Sequence, residues 1–289
     1  MDLKRKFEAN EFAVLAEMEP PKGANAGMMI ACAKKVKDRI DAFVVPEMSN
    51  AVMRMSSLGG AMVLQKEGLP TVLQICCRDR NRLALQADLL AAYALGIRNV
   101  MAVSGEDPSF GDHHQARSVY DIDLIGLLST VQQLQAGRDM AGIELDGNPE
   151  FLVGSTAGAG ARGKSPEVEL EEMMKRAEAG ARFFITPPLF DIADIEPFLK
   201  RIDRQKLFVV PTVLLLKSLG MARYIAQNMA HIHIPDTVVE RIRRAPDKVR
   251  ECIQVAAEMV STLKREGFNG VLLSTIGWEH RLPEVLEKI

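Results

Sequence analysis

The sequence predicts a (β/α)₈ TIM barrel, an α/β fold in one domain over residues 1–289 with a short N-terminal helix. Three observations predict it. Short apolar runs recur eight times, helical patterns separate them, and no Pro-, Ser- or charge-rich linker divides the chain. Its 289 residues exceed a usual globular domain, but barrels commonly reach about 250 residues as one unit. A doubly wound open sheet is the competing topology.

The candidate strands are, in order, "FAVLAEM" from Phe12, "AFVVP" from Ala42, "TVLQICC" from Thr71, "NVMAVSG" from Asn99, "FLVGST" from Phe151, "FFITPP" from Phe183, "LFVVPTVLL" from Leu207 and "GVLLSTIGW" from Gly270. Most are rich in Val, Ile or Phe and lack the alternation of a sheet with one wet face. Strands of that kind are buried on both sides and pair in parallel. Between them, "RNRLALQADLLAAYALG" from Arg80 repeats apolar residues at three- and four-residue intervals, with Gly96 as its stop. In "SPEVELEEMMKRAEAGA", Ser165 can cap a helix, Pro166 fits its first turn, and acidic residues crowd its N-terminal end.

Composition narrows the function. With 47% hydrophobic and 26% charged residues the chain can build a large core. A net charge of −2 argues against nucleic acid or an anionic membrane as the main partner. The four cysteines, Cys32, Cys76, Cys77 and Cys252, show no C-x-x-C spacing and read as buried thiols. "MDLKRKFEANEF" lacks the apolar core of a signal peptide, and no run approaches the roughly 20 apolar residues that span a bilayer. A soluble, cytoplasmic protein is the expectation.

Barrel chemistry gathers where strands end and loops begin. That rule selects Glu17 and Glu19, Pro46 and Glu47, Cys76 to Arg78, Glu106 and Asp107, the loop from Gly158, Pro187 and Pro188 after the sixth strand, Leu216 to Ser218, and Gly277 to His280. Glu17 stands inside an otherwise apolar run, where ionisation is costly and a raised pKa follows. Such a carboxyl can serve as a general acid, or be a structural group bonded to a neighbouring Arg. "SGEDPSFGDHH" crowds acceptors that suit N–H donors of a heterocycle. Its adjacent His113 and His114 lack a third ligand at zinc spacing, so no metal site is assigned. His231 and His233 read as a surface turn. "GAGARGKS", residues 158–165 with Lys164 as its basic residue, matches the phosphate-loop pattern, but a triphosphate loop normally follows the first strand of an open sheet. As the fifth loop of a barrel its glycines can still meet a cofactor's diphosphate.

"LAEMEPPKG", "NAVMRMSSLG", the long segment "CRDRNRLALQADLLAAYALGIRNVMAVSGEDPSFGDHHQARSVYDIDLIGLL", "MMKRAEAGARFFIT", "LLLKSLGMARYI" and "IGWEHRLPEVLE" together resemble the methylenetetrahydrofolate reductase family, in particular the short catalytic subunit of acetogens and related anaerobes. The resemblance implies a barrel holding FAD, or FMN, at the strand C-termini. It implies interconversion of 5,10-methylenetetrahydrofolate and 5-methyltetrahydrofolate, with electrons from NAD(P)H or a reduced partner protein. It further implies a homo-oligomer and a second, electron-transferring subunit. Glu17, before Pro20–Pro21, matches the family's general acid. Glu106 matches its Gly-Asp carboxylate, lengthened by one methylene. Cofactor binding is implied for Gln74, Cys76, Ser104, Gly105, Glu106, Asp107, Tyr120, Asp123, Thr156, Gly158, Lys175 and Arg176, and substrate binding for Glu17, Glu106, Pro187 and Leu219.

This chain departs from the family pattern at Pro46 (commonly Thr), Pro187 (a pterin-binding Gln), Thr212 (Gly) and Ser104 (often Arg). Neither proline can donate a side-chain hydrogen bond. Two other readings follow: a divergent paralogue that binds flavin or folate as a partner subunit or methyl-folate oxidase, and a P-loop nucleotide hydrolase.

Overall fold

The computed structural model describes residues 2–163 and 165–289. The first half runs α1 (Leu3–Glu8), β1 (Ala13–Glu17), α2 (Gly27–Val36), β2 (Ala42–Val45), α3 (Ser57–Lys66), β3 (Thr71–Cys76), α4 (Arg82–Ala94), β4 (Asn99–Val103) and α5 (Leu124–Gln135). The second runs β5 (Leu152–Thr156), α6 (Pro166–Glu178), β6 (Phe183–Pro188), α7 (Glu196–Leu199), β7 (Phe208–Leu214), α8 (Leu219–Asn228), α9 (Asp236–Arg244), α10 (Lys248–Arg265), β8 (Gly270–Ser274) and α11 (Leu282–Leu286). The eight strands close into one parallel barrel in sequence order, β8 pairing back onto β1.

Helix ends obey local chemistry. Ser165 accepts from the Val168 amide with Pro166 in the first turn of α6, and Asp123 caps α5 through the Gly126 amide at 2.7 Å. Gly96, with φ +90°, ends the turn after α4.

Side chains alternate between the inside of the barrel and the layer under the helices. Ala13 and Leu15 of β1 lie in one buried cluster with Ala42, Val44, Val72, Met101, Phe183, Phe208 and Leu272. Ala16 and Met18 pack outward with the helical layer. The next inward position on β1 is Glu17, so the period that builds the core also delivers a carboxyl to the barrel mouth. At the other end, α1 inserts Phe7, fully buried, with its ring 5.0 Å from that of Phe208 and 6.0 Å from that of Phe183. The floor is thereby plugged and the mouth left for chemistry.

The expectation that Pro187 and Pro188 follow the sixth strand needs correction. Both lie within β6, where the pairing with β7 shifts register between Ile185 and Pro188. A proline lacks the N–H a regular ladder needs, so the strand continues here only irregularly. Thr186 and Thr212 bridge the irregularity, the Thr212 hydroxyl donating to the Thr186 carbonyl at 2.6 Å.

Candidate active site at the barrel mouth

Glu17 ends β1 and accepts a hydrogen bond from the Ser274 hydroxyl at the end of β8, 3.1 Å away. Burial raises its pKa to about 7; the Ser274 bond works in the opposite direction, and the nearby Glu19 and Glu279 carboxylates add to the rise. The carboxyl is therefore part protonated near neutrality. The alternative expected from sequence, a carboxylate bonded to Arg, describes Glu19 instead, which meets Arg54 Nε at 2.8 Å. Beside Glu19, Met18, Pro20, Met29, Arg54 and His280 help line a cleft of about 310 Å³ between the β1 and β8 loops.

Across the mouth, Gln74 is held at both ends. Its Oε1 accepts from the Glu47 amide at 3.3 Å, and its carbonyl accepts from the Ser57 hydroxyl at 2.7 Å. Glu47 is buried and takes the Ser57 amide at 2.9 Å. Among the described residues the Gln74 Nε2 donates only to the Met101 sulfur, 3.9 Å away, a weak acceptor that leaves a second amide N–H for a ligand. Cys76 contacts the Ser104 carbonyl at 3.3 Å, and burial pushes its thiol up to about 11, so it is an inert wall.

After β4 the chain turns at Gly105, φ +85°, where a Cβ would lie 2.4 Å from the Cys76 sulfur. Ser104, Glu106 and Asp107 are exposed beyond it. Buried Arg78 grips Asp79 through two bonds of 2.7 and 2.8 Å and reaches the Glu106 carbonyl at 3.2 Å, with the Glu106 carboxylate 3.6 Å away. Tyr120 donates to the Gly105 carbonyl at 3.2 Å, and Asp123 caps α5 nearby in sequence. Thr156 ends β5 exposed, its carbonyl accepting from Arg176 at 2.7 Å. Lys175 turns instead to Glu171, at 2.7 Å on the exposed face of α6. Pro187 is half-buried on β6, and Leu219 opens α8 half-buried against the helical layer.

The glycine loop follows β5 of a closed barrel rather than the first strand of an open sheet. The Glu169 carboxylate lies against Gly158, and Ser165 is spent as a helix cap. Lys164 lies outside the described residues. This setting does not suit a Mg-triphosphate. Among the described residues, no His, Cys, Asp and Glu group is placed to hold a metal, and no helix is long and apolar enough to cross a membrane. All four cysteines are free and buried.

The loops above the mouth are clasped together. Asp112 of the β4–α5 loop accepts from the Met53 amide at 2.9 Å in the β2–α3 loop and pairs with Lys22 of the β1–α2 loop. Gly111 fits against Ala51 so closely that a Cβ would lie 1.8 Å from the Ala51 oxygen.

Residues 2–289 match the family model described as methylenetetrahydrofolate reductase. The chain belongs to the methylenetetrahydrofolate reductase family. Within known proteins it is 24% identical over 215 residues to the 5,10-methylenetetrahydrofolate reductase of Pectobacterium carotovorum, covering 71% of this chain and 64% of that one. It is 22% identical over 193 residues to methylenetetrahydrofolate reductase 2 of Schizosaccharomyces pombe, covering 64% of this chain and 29% of that one. The chain thus spans less than two thirds of the length of these relatives. A structure of an uncharacterized Clostridium thermocellum protein that binds two copies of 5-methyl-5,6,7,8-tetrahydrofolic acid shares the fold, with a TM-score of 0.63 at 14% identity over 99% of this chain and 97% of that one.

Sequence reasoning named Glu17 but missed Ser274. The available signal was a hydroxyl ending an apolar strand that must neighbour β1 if the barrel closes. It also missed the clasp by Asp112, whose partners lie on two other loops.

Proposed function

We propose that this barrel is a flavin-dependent reductase interconverting 5,10-methylenetetrahydrofolate and 5-methyltetrahydrofolate at its mouth. The observation that carries the reading is Glu17, an inward acid at the strand ends with a pKa near 7. A carboxyl tuned to that range can hold a proton at neutral pH and still release it. Family membership supports a folate-linked reductase, and the methyl-folate bound by the Clostridium thermocellum neighbour supports that substrate class.

The residues present fit a flavin. The Gln74 amide, which donates to the Met101 sulfur at 3.9 Å, the side-chain-free rim at Gly105, and exposed Ser104, Glu106 and Thr156 suit a flat heterocycle rich in acceptors and N–H groups. Tyr120, Asp123 and the glycine loop from Gly158 would meet its ribityl and nucleotide portions, with Arg176 bonded to the Thr156 carbonyl at the end of β5. When bound, the flavin supplies the hydride that the methylene carbon accepts. Glu17 gives its proton to the ring nitrogen as the carbon–nitrogen bond breaks and its electron pair passes to that nitrogen. Glu106, exposed beside Arg78, would orient the pterin by accepting its N–H groups.

The divergent-paralogue reading keeps one specific support: Pro46 and Pro187 offer no side-chain donor where the family's pattern has one, a loss of about 1 to 3 kcal/mol per missing bond to a buried polar group. One visible spectrum separates the readings. The purified protein incubated with FAD or FMN should show flavin absorbance that bleaches on adding 5-methyltetrahydrofolate. A colourless protein that takes up no flavin overturns the reductase; a flavin spectrum that folate leaves unchanged favours the paralogue.

A further inference from the structure

Ser274 closes β8 with 7% of its surface exposed, and its hydroxyl has Glu17 Oε1 as its recorded side-chain partner among the described residues. The pairing follows from barrel closure. Leu15 is opposite Leu272 and Ala16 opposite Leu273, so Glu17 and Ser274 come side by side at the end of the ladder. Other charges act on this carboxyl from further off: Glu19 on its own loop and Glu279 on the β8 loop, with Arg54 from the β2 loop and Lys217 from the β7 loop acting on Glu19. Among the described residues, Ser274 is the one whose side chain hydrogen-bonds it.

A buried hydroxyl beside an ionised carboxyl donates to it. The same bond survives protonation of Glu17 only when the proton sits on the other oxygen. We propose that Ser274 is a positioning residue for Glu17: it occupies Oε1 and makes Oε2 the oxygen that carries the proton and gives it up. No bond is formed or broken at Ser274 itself. The inference rests on the reading of Glu17 as proton donor, and it adds the residue that decides which oxygen acts.

The test uses the full chain without flavin or folate. The Glu17 carboxyl is followed by ¹³C NMR of protein labelled at glutamate side-chain carboxyls, and assigned by the signal that Glu17→Gln removes. Wild type should titrate near the value set by its surroundings. Ser274→Ala, having lost a charge-assisted bond to the ionised form, should titrate about one pH unit higher, and Ser274→Thr should stay with wild type. Equal midpoints in Ser274→Ala and wild type overturn the proposal. Where Ser274→Ala fails to fold, Ser274→Cys, a weaker donor of similar size, must show the same upward direction, and an unmoved midpoint there overturns the proposal equally. In turnover, Ser274→Ala should lose about tenfold in the folate half-reaction and carry its alkaline limb upward by the same shift. A merely structural role lowers the rate at every pH and leaves the limb in place. A shifted titration with no folate turnover defeats the reductase reading alone, whereas normal turnover with an unshifted titration defeats the role of Ser274 alone.

Discussion

A carboxyl one inward step beyond Ala13 and Leu15 must either ionise inside the barrel or keep its proton. Its pKa rises from 4.5 to about 7 because burial disfavours the charge more than the Ser274 bond favours it. Two outcomes follow. Below about pH 4.5 the carboxyl is neutral in both folded and unfolded chains, and as pH climbs toward 7 the folded chain alone holds the proton. Stability from this group is therefore lost across that window and reaches a deficit of roughly 3 kcal/mol above it. Glu17→Gln should flatten the pH dependence of chemical denaturation between pH 4.5 and 7.5; an unchanged slope would contradict the assignment. Under the proposed function the same substitution should cost between about 100- and 10,000-fold in the folate half-reaction. Flavin reduction by the electron donor should stay within about twofold, as stopped-flow absorbance can measure.

Loops and caps show what an element requires of its residues. Gly111 can only be glycine while the β2 and β4 loops touch, because any Cβ would overlap the Ala51 carbonyl. Gly111→Ala should part the clasp, speeding limited proteolysis within residues 47–56 and 104–121 by about tenfold while the barrel's far-ultraviolet circular dichroism stays intact. Asp112 reinforces the same contact, and its hydrogen bonds to Lys22 and the Met53 amide hold its pKa below the usual carboxylate value. The clasp should accordingly weaken as pH falls through the acid range. At α5, Asp123 is spent as an N-cap, so Asp123→Ala should lower stability by about 1 kcal/mol in denaturant titration even with no ligand bound.

At the scale of the whole molecule, floor and mouth are separate jobs. Phe7 seals the floor from a six-residue helix, stacked on Phe208 and touching nothing at the mouth. Phe7→Ala should cost about 3 to 5 kcal/mol, read as a lower Tm, and leave the Glu17 titration where it was. A coupled change in both would mean that the two ends of the barrel are not independent. The relatives matched are longer than the portion this chain spans, and its matched core is the barrel itself.

The alternation of apolar runs with helical patterns predicted the barrel ahead of an open sheet and set Glu17 inside its first strand, local rules that a linear chain carries openly; that Glu17 faces inward followed only from the structure, where Ala13 and Leu15 of the same strand lie in the inner cluster. Caps at Ser165 and the stop at Gly96 were legible from local rules too. Ring closure decided the rest. Ser274 reaches Glu17 from 257 positions away, Asp112 finds Lys22 and Met53 across 90 and 59, and Pro187 stays within a strand because its neighbours on β7 bridge the break. Such contacts depend on which strands and loops become neighbours in space, and a distance along the chain carries no trace of that until the last strand pairs with the first.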